Sequence, residues 1–103
     1  MTHKVFTGKR AKADLQAIRD YIYSQSKDKE ITTKAMDKIK ETVDSLCHNP
    51  DRGANLRNKV NYDTDLKWIS VYHYMIVYQL QKDGVYVIAV VHMSRNFASL
   101  PQF

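Results

Sequence analysis

Residues 66–95 constrain the fold of this chain more than any other stretch. The run from Leu66 to Arg95 is dense in β-branched and aromatic side chains and is broken at Asp83-Gly84. A glycine there accepts the positive φ that a two-residue turn requires, so the flanking runs are predicted to pair antiparallel. Residues 66–71 read as one strand, Tyr72-His73 as a tight connection and residues 74–81 as the next strand. In that strand Tyr74, Ile76, Tyr78 and Leu80 share one face, and Met75, Val77 and Gln79 the other. Residues 85–91 are apolar on both faces, the pattern of a central strand.

Upstream the period changes from that of a strand to that of a helix. After a short strand expected over residues 3–7, Ala11, Leu15, Ile18 and Ile22 recur at helical spacing. Residues 24–30 are polar and unpatterned, and read as the connection to a second stripe of Ala35, Ile39, Val43 and Leu46. Asn49-Pro50 should end that helix, because proline disfavours α geometry in the residue before it. Two amphipathic helices in series must cover an apolar surface, and the downstream strands supply it. Residues 51–65 lose all pattern; a loop this long inside a small domain is either functional or hides a short strand. The expectation is an α+β fold of order β-α-α-β-β-β, a helical hairpin packed on a small, mainly antiparallel twisted sheet, with residues 1–103 as a single domain.

Charge and cysteine usage narrow the function classes. Sixteen Lys and Arg stand against eleven Asp and Glu, a formal net charge of +5 that favours anionic partners. The single cysteine, Cys47, excludes an intramolecular disulfide framework and suits a reducing compartment. Residues 1–7 carry no apolar signal region and no run reaches membrane-spanning length, so a cytoplasmic protein without membrane contact is expected. With three glycines and no Gly-rich loop, nucleotide binding is not expected. Cys47-His48 lacks the further ligands a metal site needs, so neither metal nor other cofactor is expected.

The candidate chemistry lies at the end of the last strand, where His92 and Arg95 deliver an imidazole and a guanidinium to the rim of the sheet. Cutting RNA through its 2′-hydroxyl requires a proton acceptor, a proton donor and positive charge on the phosphate. His92 suits either proton role, and Lys67, Arg57 and Arg95 could supply charge. Each residue also has a plainer reading: His92 as a hydrogen-bonded structural histidine, Arg95 as an ion-pair partner of Asp51, Asp63 or Asp65, and Trp68 as a core anchor.

Several segments together resemble the RelE/ParE superfamily of bacterial toxins from type II toxin–antitoxin pairs. They are Arg10 to Ile22, with its Ala, Asp-Leu, Ile and Tyr-Ile pattern; Leu46-Cys-His-Asn-Pro50 with Gly53 after it; Tyr74-Met-Ile-Val-Tyr78; and Val87 to Arg95. The resemblance covers nearly the whole chain and implies a growth-inhibiting toxin neutralised by a cognate antitoxin, whose acidic, partly disordered segment would fold onto it. RelE-like members cut messenger RNA on the ribosome, whereas ParE-like members block DNA gyrase without catalysis of their own. RelE-like sheets commonly carry Arg after the first Tyr of the Tyr-x-x-x-Tyr segment; Met75 stands there, and the tail after residue 95 has no Tyr. The ParE-like reading is therefore favoured, with His92, Arg95 and Phe97 as target-binding residues. Two alternatives stay open: a messenger RNA endonuclease using His92, Arg95, Lys67 and Arg57, and a non-toxic basic α+β binding module.

Overall fold

A computed structural model describes residues 3–60 and 62–93. Five strands form one sheet: β1 (Lys4–Thr7), β2 (Ala54–Asn55), β3 (Lys67–Val71), β4 (Tyr74–Gln81) and β5 (Gly84–His92), in the order β1-β5-β4-β3-β2. β2 to β5 pair antiparallel with their neighbours, and β1 adds parallel to β5, with Lys4 opposite Gly84 and Thr7 opposite Val87. Two helices, α1 (Lys9–Ser26) and α2 (Lys29–Asp44), cover one face. This is the expected α+β architecture, with the parallel edge strand closing what is otherwise an antiparallel meander.

The helical connection is shorter than the sequence suggests. α1 runs to Ser26, Lys27 turns the chain with φ 56°, and Asp28 already caps α2. The Asp28 carboxylate accepts from the amides of Glu30 at 2.8 Å and Ile31 at 3.3 Å, satisfying two of the donors a helix start leaves unpaired. The polar stretch expected as loop is therefore mostly helix, because a side-chain cap needs no glycine or proline to begin one. α2 ends at Asp44, and a 3₁₀ turn over Ser45–Cys47 carries Leu46 into the core before Pro50.

The sheet buries both faces. Under the helices, Ala11, Ile18, Ile39, Val43 and Leu46 meet Ile69, Val71, Tyr74, Ile76, Tyr78, Val85, Val87 and Val90. On the opposite face Met75, Val77, Ala89 and Val91 are covered by Leu56 from the unpatterned segment and by Leu66, which the sequence predicts to open a strand but which lies just before β3. That segment holds the two-residue β2 and a 3₁₀ turn at Leu56–Asn58, and folds back through a 2.9 Å bond from the Leu56 amide to the Leu66 carbonyl. The short strand agrees with one of the two readings of this segment; the cover that Leu56 provides beyond it is not legible in the sequence. Trp68 lies half-buried on this second face, at the margin of the core.

β5 contributes to both cores, and a register shift sets which of its residues face the helices. Val77 opposes Ala89, but Tyr78 opposes Val87, leaving Ile88 as an inserted residue. A bulge of this kind reverses the alternation, so Val85 and Val87 before it and Val90 after it all face the helices. The β4–β5 turn also differs from expectation. Lys82-Asp83 form the two-residue connection and Gly84 is the first residue of β5, at φ 157°. A Cβ on Gly84 would stand 2.5 Å from the Lys4 carbonyl oxygen, so the glycine is needed for the close approach of β1. No helix among the described residues is long and apolar enough to cross a membrane.

Candidate functional site

Past the end of β1, β5 continues toward His92 and its free edge turns to α1. Asp14 there replaces a strand partner: its carboxylate accepts from the Val90 amide at 2.9 Å. Arg10, one turn earlier on α1, ion-pairs with the same oxygen at 3.7 Å, a half-exposed contact of little energetic weight. Together with Tyr21, Tyr74, Val90 and His92 they enclose an open groove of about 330 Å³. Ile18 and Val90 give it an apolar floor, and the phenols, imidazole and guanidinium give it a polar rim.

Aromatic rings dominate this end of the sheet. His92 is exposed and meets Tyr74 edge-on, with ring centres 5.3 Å apart, while His73 from the β3–β4 turn lies across it at 6.1 Å and 28°. Burial raises the Tyr74 hydroxyl pKa above its ordinary value, with the neighbouring Tyr21 adding to the effect. Tyr72 beside His73 is 57% exposed and adopts φ 53°. Backbone pairing from the Met93 amide to the His73 carbonyl, at 2.6 Å, fixes the turn against the end of β5.

The residues singled out from sequence are not all brought to this end. His92 pairs with Tyr74 at the start of β4, whereas Lys67 pairs with Tyr78, four positions further along that strand. That is roughly 13 Å along the sheet at about 3.3 Å per residue, before the strand spacing between β3 and β5 is added. Lys67 Nζ donates instead to Asn55 Oδ1 at 3.3 Å, beside β2. Arg57 is exposed on the 3₁₀ turn that covers the other face. Met75 is buried on that second face, so its position contacts protein and not solvent, and offers no place for a phosphate. Arg95 and Phe97 lie outside the described residues.

Arg10, Asp14 and Tyr21 were missed as site residues, although the signal was present. Arg10, Asp14, Ala17 and Tyr21 recur at 4-3-4 spacing and make a second stripe on α1 beside the apolar one. Among the described residues no group of three or more His, Cys, Asp or Glu side chains could hold a metal ion. Cys47 is half-buried, and its backbone carbonyl accepts from the His3 amide at 2.7 Å.

A helical hairpin packed on one face of a five-stranded mixed sheet is also the fold of a solved structure, described as the chromosomal ParDE TA system from P. aeruginosa. The two chains superpose with a TM-score of 0.72 at 18% sequence identity, covering 88% of this chain and 96% of that one. At sequence level, the family model for the ParE toxin of type II toxin–antitoxin systems, parDE, matches residues 5–97. The chain belongs to that toxin family. No curated protein matches the sequence.

Proposed function

We propose that this protein inhibits bacterial growth by binding DNA gyrase, and that a cognate antitoxin with an acidic, partly disordered segment neutralises it in the cytoplasm. Membership of the ParE toxin family supports the toxin reading. The observation that favours gyrase over messenger RNA is the dispersal of the basic side chains: Lys67 pairs with Tyr78, four positions along β4 from the partner of His92, and Arg57 is exposed on the 3₁₀ turn over the other face. Phosphoryl-group chemistry needs its proton-transfer group and its cations within hydrogen-bond reach of one phosphate. A binding surface has no such requirement. We assign target contact to the exposed His92 at the end of β5 and, from the sequence, to Arg95 and Phe97. The net charge of +5 complements an acidic antitoxin segment, which would order as it binds.

Pulse-labelling of DNA and protein synthesis within minutes of inducing the chain in bacteria tests this reading. DNA synthesis should fall first while translation continues. An immediate collapse of protein synthesis would replace gyrase with the ribosome and messenger RNA as the target, and would call for His92, Arg95, Lys67 and Arg57 to be mutated one at a time.

A further inference from the structure

The β3–β4 turn contains a costly choice of residue that the fold does not require. Tyr72 sits at φ 53°, a conformation that disfavours a side chain of this kind and that Asn or Gly would accept more readily. The residue is 57% exposed and gains little from burial. Backbone strain retained where packing does not reward it points toward function. Next to it His73 and His92 hold their rings 6.1 Å apart and 28° from parallel, with Tyr74 edge-on behind His92 at 5.3 Å. Both imidazoles are exposed.

We infer that Tyr72, His73 and His92 form a stacking platform for the bases of a single-stranded nucleic acid, bound without cleavage. Base-on-ring stacking is tolerant of sequence because every base has a π-face, and it is commonly combined with a cationic protein surface that follows the backbone. The formal net charge of +5 favours a polyanionic partner for the chain as a whole, and Arg10, ion-paired with Asp14, stands at the rim of the adjoining groove. A protein partner would equally value tyrosine, but the net positive charge and the near-parallel exposed imidazoles favour bases. The inference does not depend on gyrase as the toxin's target, since its test contains no gyrase.

The test is fluorescence anisotropy of short labelled oligothymidylate and oligouridylate with the full chain, at low and at physiological salt. Binding should weaken with salt. Tyr72→Asn should weaken it at least about fivefold, the loss expected for one stacked base. The same substitution should raise Tm, because asparagine tolerates a positive φ more readily than tyrosine does. Tyr72→Phe, which keeps the ring, should bind as the wild type does. Preference for one oligonucleotide would identify DNA or RNA as the source of the bases. Absence of binding by both, or wild-type affinity in Tyr72→Asn, would overturn the proposal.

Discussion

The Tyr78 hydroxyl donates to the Pro50 carbonyl at 2.7 Å from the centre of β4, tying the segment after α2 to the sheet. The same oxygen accepts from the Gly53 amide at 3.0 Å. Gly53 is small for this reason: a Cβ there would stand 2.3 Å from the Tyr78 hydroxyl and 2.7 Å from the Trp68 carbonyl. Three residues read separately as motif elements, Pro50, Gly53 and Tyr78, are one contact in space.

Tyr78→Phe should therefore destabilise the protein by about 1–3 kcal/mol, since it strands a buried carbonyl and amide while leaving the ring in place. Urea denaturation followed by Trp68 fluorescence measures this. An unchanged midpoint would show that water replaces the phenol at no cost.

Alkaline pH should act through the same side chain. Burial raises the Tyr78 pKa above 10.0, outweighing the Gly53 hydrogen bond that lowers it, and burial likewise raises that of Tyr74. The unfolded chain then loses these protons first as pH rises. Stability from this source is complete below about pH 10 and falls as pH climbs through the raised folded values. Denaturation midpoints measured from pH 8 to pH 11 should decline only at the upper end. In Tyr78→Phe the decline should be shallower.

Gly84→Ala should detach β1. The added methyl would meet the Lys4 carbonyl at 2.5 Å and the Phe6 ring at 3.0 Å, at a backbone angle that side chains rarely adopt. A loss of about 1–3 kcal/mol is expected from the backbone conformation alone. Amide exchange should be accelerated at Val5–Thr7 and at the facing residues of β5. Uniform protection across the sheet would contradict the account.

Lys27→Gly should stabilise the chain by about 1 kcal/mol. Lys27 is exposed, holds φ 56° and donates its amide to the Tyr23 carbonyl at 2.8 Å, the geometry in which helix ends favour glycine. Thermal denaturation reads the gain; a lower Tm would mean that the lysine side chain contributes more than its backbone conformation costs.

His92→Gln should leave growth inhibition largely intact, reduced only by lost contact energy. A nuclease dependent on that imidazole would lose about 10²–10⁴-fold in activity. Colony counts after graded induction distinguish the two, provided the variant accumulates to the wild-type level.

The amino-acid sequence by itself determined the two helices, the three long strands, the alternation of Tyr74 to Leu80 and the family resemblance. These properties follow from periodicities within a few turns or a single strand, where neighbouring side chains share one face. The tertiary structure alone decided that β1 pairs parallel with β5, that Ile88 is inserted and that Leu56 and Leu66 cover Met75. It also decided which chemistry meets. Asp14 joins Val90, and His73 joins His92, whereas Lys67 and Arg57 stand away from that end. Each of these contacts joins residues remote in the chain. Their geometry depends on how whole elements pack, and no local pattern carries that information.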